Sequence, residues 1–202
     1  MRVYFQITLI ALLSFGISAC FPMRSATQET TPQSTFTQAY HPITTRTGIE
    51  EIDRILDASS DVQMLRPLIQ FTTTKCTRLD GLGGPPKCRE GEADGMPVDV
   101  LPFLGPEGSF LRRDEIEKWP GFEVSGLFAI YEVSPEAYSE EYAPAGQYAI
   151  LFVGKENQPA ISLRVTKSGI VRVDYVFDDS PESLEAILQR EAAKLIVAPV
   201  SR

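Results

Sequence analysis

The 202-residue sequence predicts an α+β fold in one domain. Two N-terminal helices should precede an irregular, disulfide-bearing loop region, an antiparallel sheet of about four strands and a C-terminal helix. Apolar residues recur at helical spacing from residue 49 onwards. Glycine and proline are dense at residues 76–108, which favours turns. Four runs rich in branched and aromatic residues then predict strands at 127–133, 147–153, 160–166 and 170–177.

The first two helices are predicted from their start signals. Thr47 and Glu50 have the spacing of a capping box, in which two side chains serve free backbone groups of the first turn. Ser60 or Asp61 can cap a second helix. Pro67 should end that helix early, because an interior proline removes a hydrogen bond and clashes with the preceding turn. The apolar stripes are Ile49, Ile52, Ile55 and Leu56, and then Val62, Leu65, Leu68 and Ile69.

The loop region contains the only two cysteines beyond Cys20, which are Cys76 and Cys88. In an oxidising compartment, such an even pair within one irregular stretch predicts a disulfide. A zinc site would need further ligands, and the only histidine, His41, lies outside this stretch. A redox pair would have C-x-x-C spacing, which is missing.

Shorter elements complete the predicted domain. Residues 98–104 can form a strand and residues 112–118 one or two helical turns. Lys167, Ser168 and Gly169 suit a tight connection between the last two strands. Ser180 and Pro181 predict the start of the C-terminal helix, since proline is favoured at the first helical position. The apolar side of that helix is predicted to hold Leu184, Ile187, Leu188 and Leu195.

The first twenty residues describe an export signal. Arg2 precedes a mostly apolar stretch at 3–17, which is shorter than the roughly 20 apolar residues of a membrane-spanning helix. Ile17-Ser18-Ala19-Cys20 resembles the lipobox of bacterial lipoprotein precursors, which are cleaved before the cysteine and acylated on it. The resemblance implies a lipid on Cys20. Ordinary signal cleavage is the alternative, although the bulky Ile17 fits it less well.

The chain is therefore expected to have three parts. Residues 1–19 are the lipoprotein signal peptide. Residues 20–46, rich in Ser, Thr and Gln, form the lipidated N-terminus and a flexible tether. Residues 47–202 form the single α+β domain.

Charge limits the partners of the mature chain. The full sequence has a net charge of −8. Removing residues 1–19 takes away Arg2 alone, which leaves 18 basic against 27 acidic residues and a net charge of −9. Such a chain lacks the basic surface that nucleic acids require, and anionic headgroups repel it. The membrane should be a partner through the lipid anchor alone. Two acyl chains suffice for this, at about 0.8 kcal/mol per buried methylene.

The expected location is the extracytoplasmic face of a cell membrane. Phe21 follows Cys20 and is not the aspartate that marks retention at the inner membrane in some bacteria with two membranes. The sequence therefore does not decide between the inner and the outer membrane.

The order of elements resembles the nuclear-transport-factor-2-like (NTF2-like, SnoaL-like) cone, in which helices pack on a curved sheet and enclose a pocket. The resemblance covers residues 47–71 and the strands from 127 to 177. A cystatin-like or unrelated α+β sheet is the alternative. The segment at 76–88 also looks like one found in uncharacterised exported bacterial proteins, which implies no known activity.

The candidate ligand-binding residues are Arg164, Arg172 and Asp174, which pairing of the last two strands can bring to one face. Some NTF2-like enzymes use an aspartate and a tyrosine in the pocket. By that resemblance, Asp174 could act with Tyr131 or Tyr148. The simpler expectation, which we favour, is a cross-strand ion pair on a solvated face, worth about 0–1 kcal/mol.

Few residues suit catalysis, a metal or a cofactor. A Ser-His-Asp arrangement is excluded, since no histidine lies within residues 47–202. The acidic residues Glu90, Glu92, Asp94 and Asp99 could offer oxygen ligands, but they lack the EF-hand spacing. We therefore expect no metal or cofactor. The leading hypothesis is a lipid-anchored, non-enzymatic binding or interaction domain for a small molecule or an envelope protein. The alternative is a small-molecule-binding protein or enzyme with an NTF2-like pocket.

Overall fold

The computed structural model describes residues 40–105 and 108–200. Within these residues the chain forms three α-helices, two 3-10 helical turns and eight strands. The helices are α1 (Glu50–Ala58), α2 (Val62–Leu65) and α3 (Pro181–Glu191), and the 3-10 turns are Arg66–Leu68 and Arg113–Lys118. The strands are β1 (Thr72–Lys75), β2 (Pro97–Leu104), β3 (Ser109–Arg112), β4 (Val124–Val133), β5 (Tyr148–Gly154), β6 (Ala160–Thr166), β7 (Gly169–Val176) and β8 (Ala192–Val197). No helix in these residues is long and apolar enough to cross a bilayer.

The strands form one mixed sheet in the order β1-β2-β7-β6-β5-β4-β8, and β3 also pairs with β2. The α+β class, the disulfide and the C-terminal helix are confirmed. The predicted sheet of about four antiparallel strands is wrong in two respects. It has eight strands, and β2 runs parallel to β7, with Phe103 opposite Val173. The predicted β6–β7 hairpin is antiparallel as expected.

The strands that the sequence did not predict are β1, β3 and β8. Strands β1 and β3 have only four residues each, and β8 directly follows α3. Leu195 was expected on the apolar side of the C-terminal helix, but α3 ends at Glu191 and Ala192 is already extended. Leu195 instead lies opposite Tyr131 of β4. A hydrophobic residue at helical spacing can equally belong to a short strand, which explains this error.

The helix start signals are confirmed in part. Asp61 caps α2 by accepting a 2.8 Å hydrogen bond from the Gln63 amide, and the 3-10 turn containing Pro67 ends that helix early. Ser180 caps α3. The predicted capping box is wrong, because the cap of α1 is Ile49 and makes no side-chain hydrogen bond. The acid that serves this helix entry is Asp53, whose carboxylate accepts hydrogen bonds from the Thr47 amide and hydroxyl.

Apolar side chains cover both faces of the sheet. On one face α1 and α2 bury residues such as Ile52, Ile55 and Leu65 against β4, β5, β6 and β7. On the other face α3 buries Leu184 and Leu188 against Tyr131 and neighbouring residues. The central strands are therefore the middle of three layers, with α1 and α2 on one side and α3 on the other.

Contacts with the sheet begin before Thr47. His41 exchanges two backbone hydrogen bonds of 3.0 Å with Leu127 of β4. Its Nε2 atom lies 2.7 Å from the Ala198 carbonyl oxygen. Ile43 packs against the core on the α1 side. The last residues of the predicted tether are thus bound to the sheet, while the signal peptide and Cys20 lie outside the described residues.

The Cys76–Cys88 disulfide closes the loop that follows β1, with the two Cα atoms 4.9 Å apart. Thr77 and Lys87 form a bridge beside it. A loop of this length gains roughly 3 kcal/mol of stability from such a bond in the chain-entropy model. The disulfide therefore stabilises a glycine- and proline-rich segment that has few apolar side chains to bury.

Candidate functional site

A polar cluster lies on the α3 face of the sheet. It consists of Ser162 and Arg164 on β6, Arg172 and Asp174 on β7, and Glu191 at the end of α3. Ser162 pairs with Asp174 and Arg164 pairs with Arg172 in the strand register. Because residues two apart on a strand share a face, these four side chains meet below α3. The prediction that Arg164, Arg172 and Asp174 share one face is confirmed.

Asp174 holds the two arginines together. Its Oδ1 atom accepts a 2.8 Å hydrogen bond from Arg172 Nε, and its Oδ2 atom accepts one of 2.9 Å from Arg172 Nη2. Oδ2 also accepts a 2.8 Å hydrogen bond from Arg164 Nε. One carboxylate thus bridges two guanidinium groups that would otherwise repel each other.

Glu191 closes the cluster from α3. Its Oε2 atom accepts hydrogen bonds from Arg164 Nη2 and, at 3.4 Å, from the Tyr131 hydroxyl. Its Oε1 atom accepts from the exposed Arg190, at 3.2 Å from Nε and 2.8 Å from Nη2. The end of α3 is therefore tied to the sheet by charge as well as by apolar contact.

Arg172 also fixes residues 134–147, which connect β4 to β5 and which we call the covering loop. Its Nη1 atom donates to the carbonyl oxygens of Tyr138, Ala143 and Pro144 at 3.0–3.2 Å. The guanidinium carbon lies 5.9 Å from the centre of the Tyr138 ring. All of these contacts hold the covering loop over the same face as α3.

The expected solvated face is wrong for the two arginines, since Arg164 and Arg172 are each only 2% exposed. The physical reason is that α3 and the covering loop lie over strands that have a polar face. Buried charges survive only when they are paired and hydrogen-bonded, as these are. The cluster is therefore an interior ionic network rather than a surface ion pair.

Burial and pairing shift the ionisation of the cluster. Burial raises the pKa of Tyr131 to about 12. Burial alone would also raise the pKa of Glu191, but the charges and hydrogen bonds of Arg164 and Arg190 hold it below its ordinary value. Burial alone would lower the pKa of Arg164, whereas the acidic groups around it raise it. At neutral pH the carboxylate of Glu191 and the guanidinium of Arg164 are thus both charged.

A cleft of about 210 Å³ opens beside the polar cluster, and we call it the polar cleft. Of the four buried side-chain atoms that lack a hydrogen-bond partner within the described residues, two belong to residues lining this cleft: Arg164 Nη1 and Ser162 Oγ. The lining also includes Leu104, Gly105, Tyr138, Arg172, Asp174, Tyr175, Val176, Ile187, Arg190 and Glu191. Hydrogen-bonding capacity that the protein does not use therefore lies within the wall of the cleft, at atoms that solvent does not reach.

The structure brings together only some of the residues predicted for the site. Tyr131 joins the cluster through Glu191. Tyr148 packs against the opposite core, where its hydroxyl accepts a 3.1 Å hydrogen bond from Gln147. Sequence reasoning missed Glu191 and Ser162. The strand register alone could have indicated Ser162, since it lies two residues before Arg164.

Three of the four predicted acidic loop residues have protein partners of their own, whereas Glu90 is exposed. Glu92 binds Arg112 at 2.9 Å, and Asp99 binds Arg113 at 2.9 Å. Asp94 accepts a 2.8 Å hydrogen bond from the Arg78 amide. These carboxylates therefore serve to hold the loops around β2 and β3.

A larger cleft of about 380 Å³ lies between the disulfide loop and β3. Both arginines that line it are already paired. Arg112 binds Glu92 at 2.9 Å, and Arg89 binds Asp114 at 2.7 Å and Glu115 at 2.8 Å. Among the described residues lining this cleft, none has a buried side-chain nitrogen or oxygen atom without a partner. Its charged groups therefore do not need a ligand to complete their hydrogen bonding.

The polar cleft thus combines open space with a buried ionic network that contains a guanidinium nitrogen without a partner. What it can do chemically follows from its own groups: guanidinium and hydroxyl donors at the base, and apolar side chains such as Ile187 at the rim. No protein-family model, curated protein or solved structure matches the chain.

Proposed function

We propose that this chain is an extracytoplasmic lipoprotein, anchored through Cys20, whose domain binds a small molecule in the polar cleft without transforming it. The anchoring part rests on the sequence Ile17-Ser18-Ala19-Cys20. The binding part rests on the cleft between α3 and the sheet.

One observation carries the binding proposal, which is the buried Arg164 Nη1 atom without an acceptor in the wall of the cleft. A buried donor left without a partner costs about 1–3 kcal/mol, and more when it is charged. The folded protein bears this cost with the rest of the guanidinium held in place by Asp174 and Glu191. A ligand acceptor that reaches this atom offsets the cost, and the guanidinium is already fixed by its two carboxylates, which lowers the entropy lost on binding.

Binding fits the chemistry of the cleft better than catalysis does. Both oxygens of Asp174 and both oxygens of Glu191 accept hydrogen bonds from arginine. A general base works best with a pKa near the operating pH. The hydroxyl of Tyr131 is far from that range, with its pKa raised to about 12. The pairing of Asp174 with Tyr131 or Tyr148 for acid–base work therefore gains no support from their contacts.

The membrane address is tested by the intact mass of the protein extracted from membranes, with and without reductant. We expect a chain that begins at Cys20, carries acyl mass and gains two protons on reduction of Cys76–Cys88. The matched variant Cys20→Ser should leave the membrane fraction. A Cys20→Ser protein that stays bound to the membrane would refute the lipid anchor.

The binding site is tested by blocking the cleft. Ile187→Trp adds bulk to the cleft wall, whereas Ala186→Trp adds the same side chain on the exposed surface of α3. A fragment screen by NMR should give shifts around the polar cleft in the natural protein and in Ala186→Trp, and should lose them in Ile187→Trp. Equal binding by both tryptophan variants would place the ligand elsewhere.

A further inference from the structure

We infer that the ligand of the polar cleft is a small organic monoanion, a carboxylate joined to a compact apolar body. The inference rests on the proposed function, because it names the class of molecule that the same cleft binds.

The first argument is charge. Three guanidinium groups line the cleft, those of Arg164, Arg172 and Arg190, against the two carboxylates of Asp174 and Glu191. The site therefore has a formal charge of +1 in a sequence whose net charge is −8. A single negative charge balances the site, whereas a dianion overshoots it and a cation adds to the excess.

The second argument is hydrogen bonding, which also favours a ligand that accepts hydrogen bonds. Each oxygen of Asp174 and Glu191 already accepts at least one hydrogen bond from an arginine. The group without any partner is Arg164 Nη1, which can only donate. Ser162 Oγ interacts with the Tyr131 hydroxyl and can donate or accept. An acceptor ligand therefore meets a charged donor that lacks a partner, whereas a donor ligand must share carboxylate oxygens that already accept from arginine. A ligand carboxylate bound to a guanidinium gains both charge balance and hydrogen bonds, and charge-assisted hydrogen bonds are stronger than neutral ones.

The third argument is size and polarity. The volume of about 210 Å³ is below the roughly 300–1,000 Å³ of pockets for drug-sized ligands. Leu104, Val176 and Ile187 add apolar surface. A carboxylate at the guanidinium end with a short aliphatic or single-ring body matches both halves of the cleft.

A series of three molecules of nearly equal shape tests the charge preference directly. Benzoate, benzamide and benzamidine present a negative, a neutral and a positive group on the same ring. Binding is measured by calorimetry on the full-length protein in detergent, and the site is located by NMR shifts of Gly105, Tyr138 and Ile187. We expect benzoate to bind at least about tenfold more tightly than benzamide, which is the factor that 1.4 kcal/mol of differential interaction gives. Benzamidine should bind most weakly.

Two variants separate ligand binding from structural support. Ser162→Ala removes a buried hydroxyl of the cleft wall whose protein contact is with the Tyr131 hydroxyl, so it should weaken benzoate about tenfold and lower the free energy of unfolding by about 1 kcal/mol or less. Arg190→Gln removes the excess charge and should narrow the difference between benzoate and benzamide. Lys194→Gln is the matched control, because its side chain is 69% exposed against 68% for Arg190 and it pairs with Glu132 outside the cleft. It should leave the series unchanged.

The outcomes are distinct. If benzamide or benzamidine shifts the cleft resonances and binds as tightly as benzoate, the monoanion inference fails and the proposed binding function stands. If none of the three shifts those resonances up to its solubility limit, the inference and the small-molecule proposal both fail. If Ser162→Ala lowers stability and leaves benzoate binding unchanged, the hydroxyl is structural and the inference loses its hydrogen-bonding argument.

Discussion

Arg164 and Arg172 face each other across the β6–β7 ladder, and both donate to the carboxylate of Asp174. Two like charges directly opposite on a sheet are destabilising unless something lies between them. Asp174 does so, and Glu191 supplies the second negative charge from α3. The stability of this face therefore depends on the carboxylates of Asp174 and Glu191.

Asp174→Asn should destabilise the protein strongly. Removing one partner of a buried ion pair leaves uncompensated charge, and such changes cost about 3–5 kcal/mol. The check is urea unfolding followed by the fluorescence of the single tryptophan, Trp119, which is buried. Asp99→Asn is the matched control, because Asp99 pairs with the exposed Arg113 and its loss should cost about 1 kcal/mol or less. Equal losses in the two variants would contradict the buried network.

Arg172→Met should loosen the covering loop. The methionine fills part of the space but cannot donate to the carbonyls of Tyr138, Ala143 and Pro144. Hydrogen exchange by mass spectrometry should show faster exchange in residues 134–147 than in the natural protein. Arg113→Met, which removes an exposed guanidinium elsewhere, should leave the exchange of these residues unchanged. Unchanged protection in Arg172→Met would mean that the loop is held by its other contacts.

The double variant Cys76→Ser/Cys88→Ser should lose roughly 3 kcal/mol of unfolding free energy, because the unfolded chain regains the freedom that the closed loop had removed. Reductant should have the same effect on the natural protein and none on the variant. Cys20→Ser is the control, since Cys20 is not part of this bond. A loss of less than about 1 kcal/mol would show that the loop is held mainly by contacts such as the Thr77–Lys87 bridge.

The sequence predicts the elements of this fold better than it predicts what covers them. Alternation placed Arg164, Arg172 and Asp174 on one face, and that is correct. Alternation also suggested water as their neighbour, because a polar strand face usually meets solvent. The true neighbours are Glu191, 27 residues from Arg164 in the chain, and the covering loop. Local patterns carry no information about such distant contacts.

Stability should fall in acid, in part through Glu191. The pKa of this carboxyl in the folded protein lies below its ordinary value of 4.5. A depressed folded pKa means that the ionised group contributes stability above the unfolded pKa, and that this contribution is lost as the pH falls through the folded pKa. Glu191→Gln should therefore be less stable than the natural protein at pH 7, and the difference should shrink steadily below about pH 4.5. Urea unfolding at several pH values measures it. A difference that stays constant down to low pH would contradict the role of the charge.

Gly169→Ala should be among the most damaging single-methyl additions in the domain. Gly169 has φ +136°, a conformation that residues with a side chain rarely adopt, and a Cβ atom there would lie 2.1 Å from the Leu68 carbonyl oxygen. The β6–β7 hairpin would have to move away from the 3-10 turn Arg66–Leu68, which breaks the 2.8 Å hydrogen bond from the Gln70 amide to the Ile170 carbonyl. We expect a loss of more than about 3 kcal/mol, since backbone strain and a broken buried contact add.

Gly81→Ala separates the two contributions to that loss. Gly81 has a similar φ, +128°, but nothing lies within 4 Å of its added Cβ. It should therefore cost about 1–3 kcal/mol from conformation alone. Comparing the two variants by urea unfolding gives the energy of the contact with Leu68. If Gly169→Ala costs no more than Gly81→Ala, the hairpin moves freely from the helical layer. In that case the polar cluster on its far side is held in place by α3 and the covering loop alone.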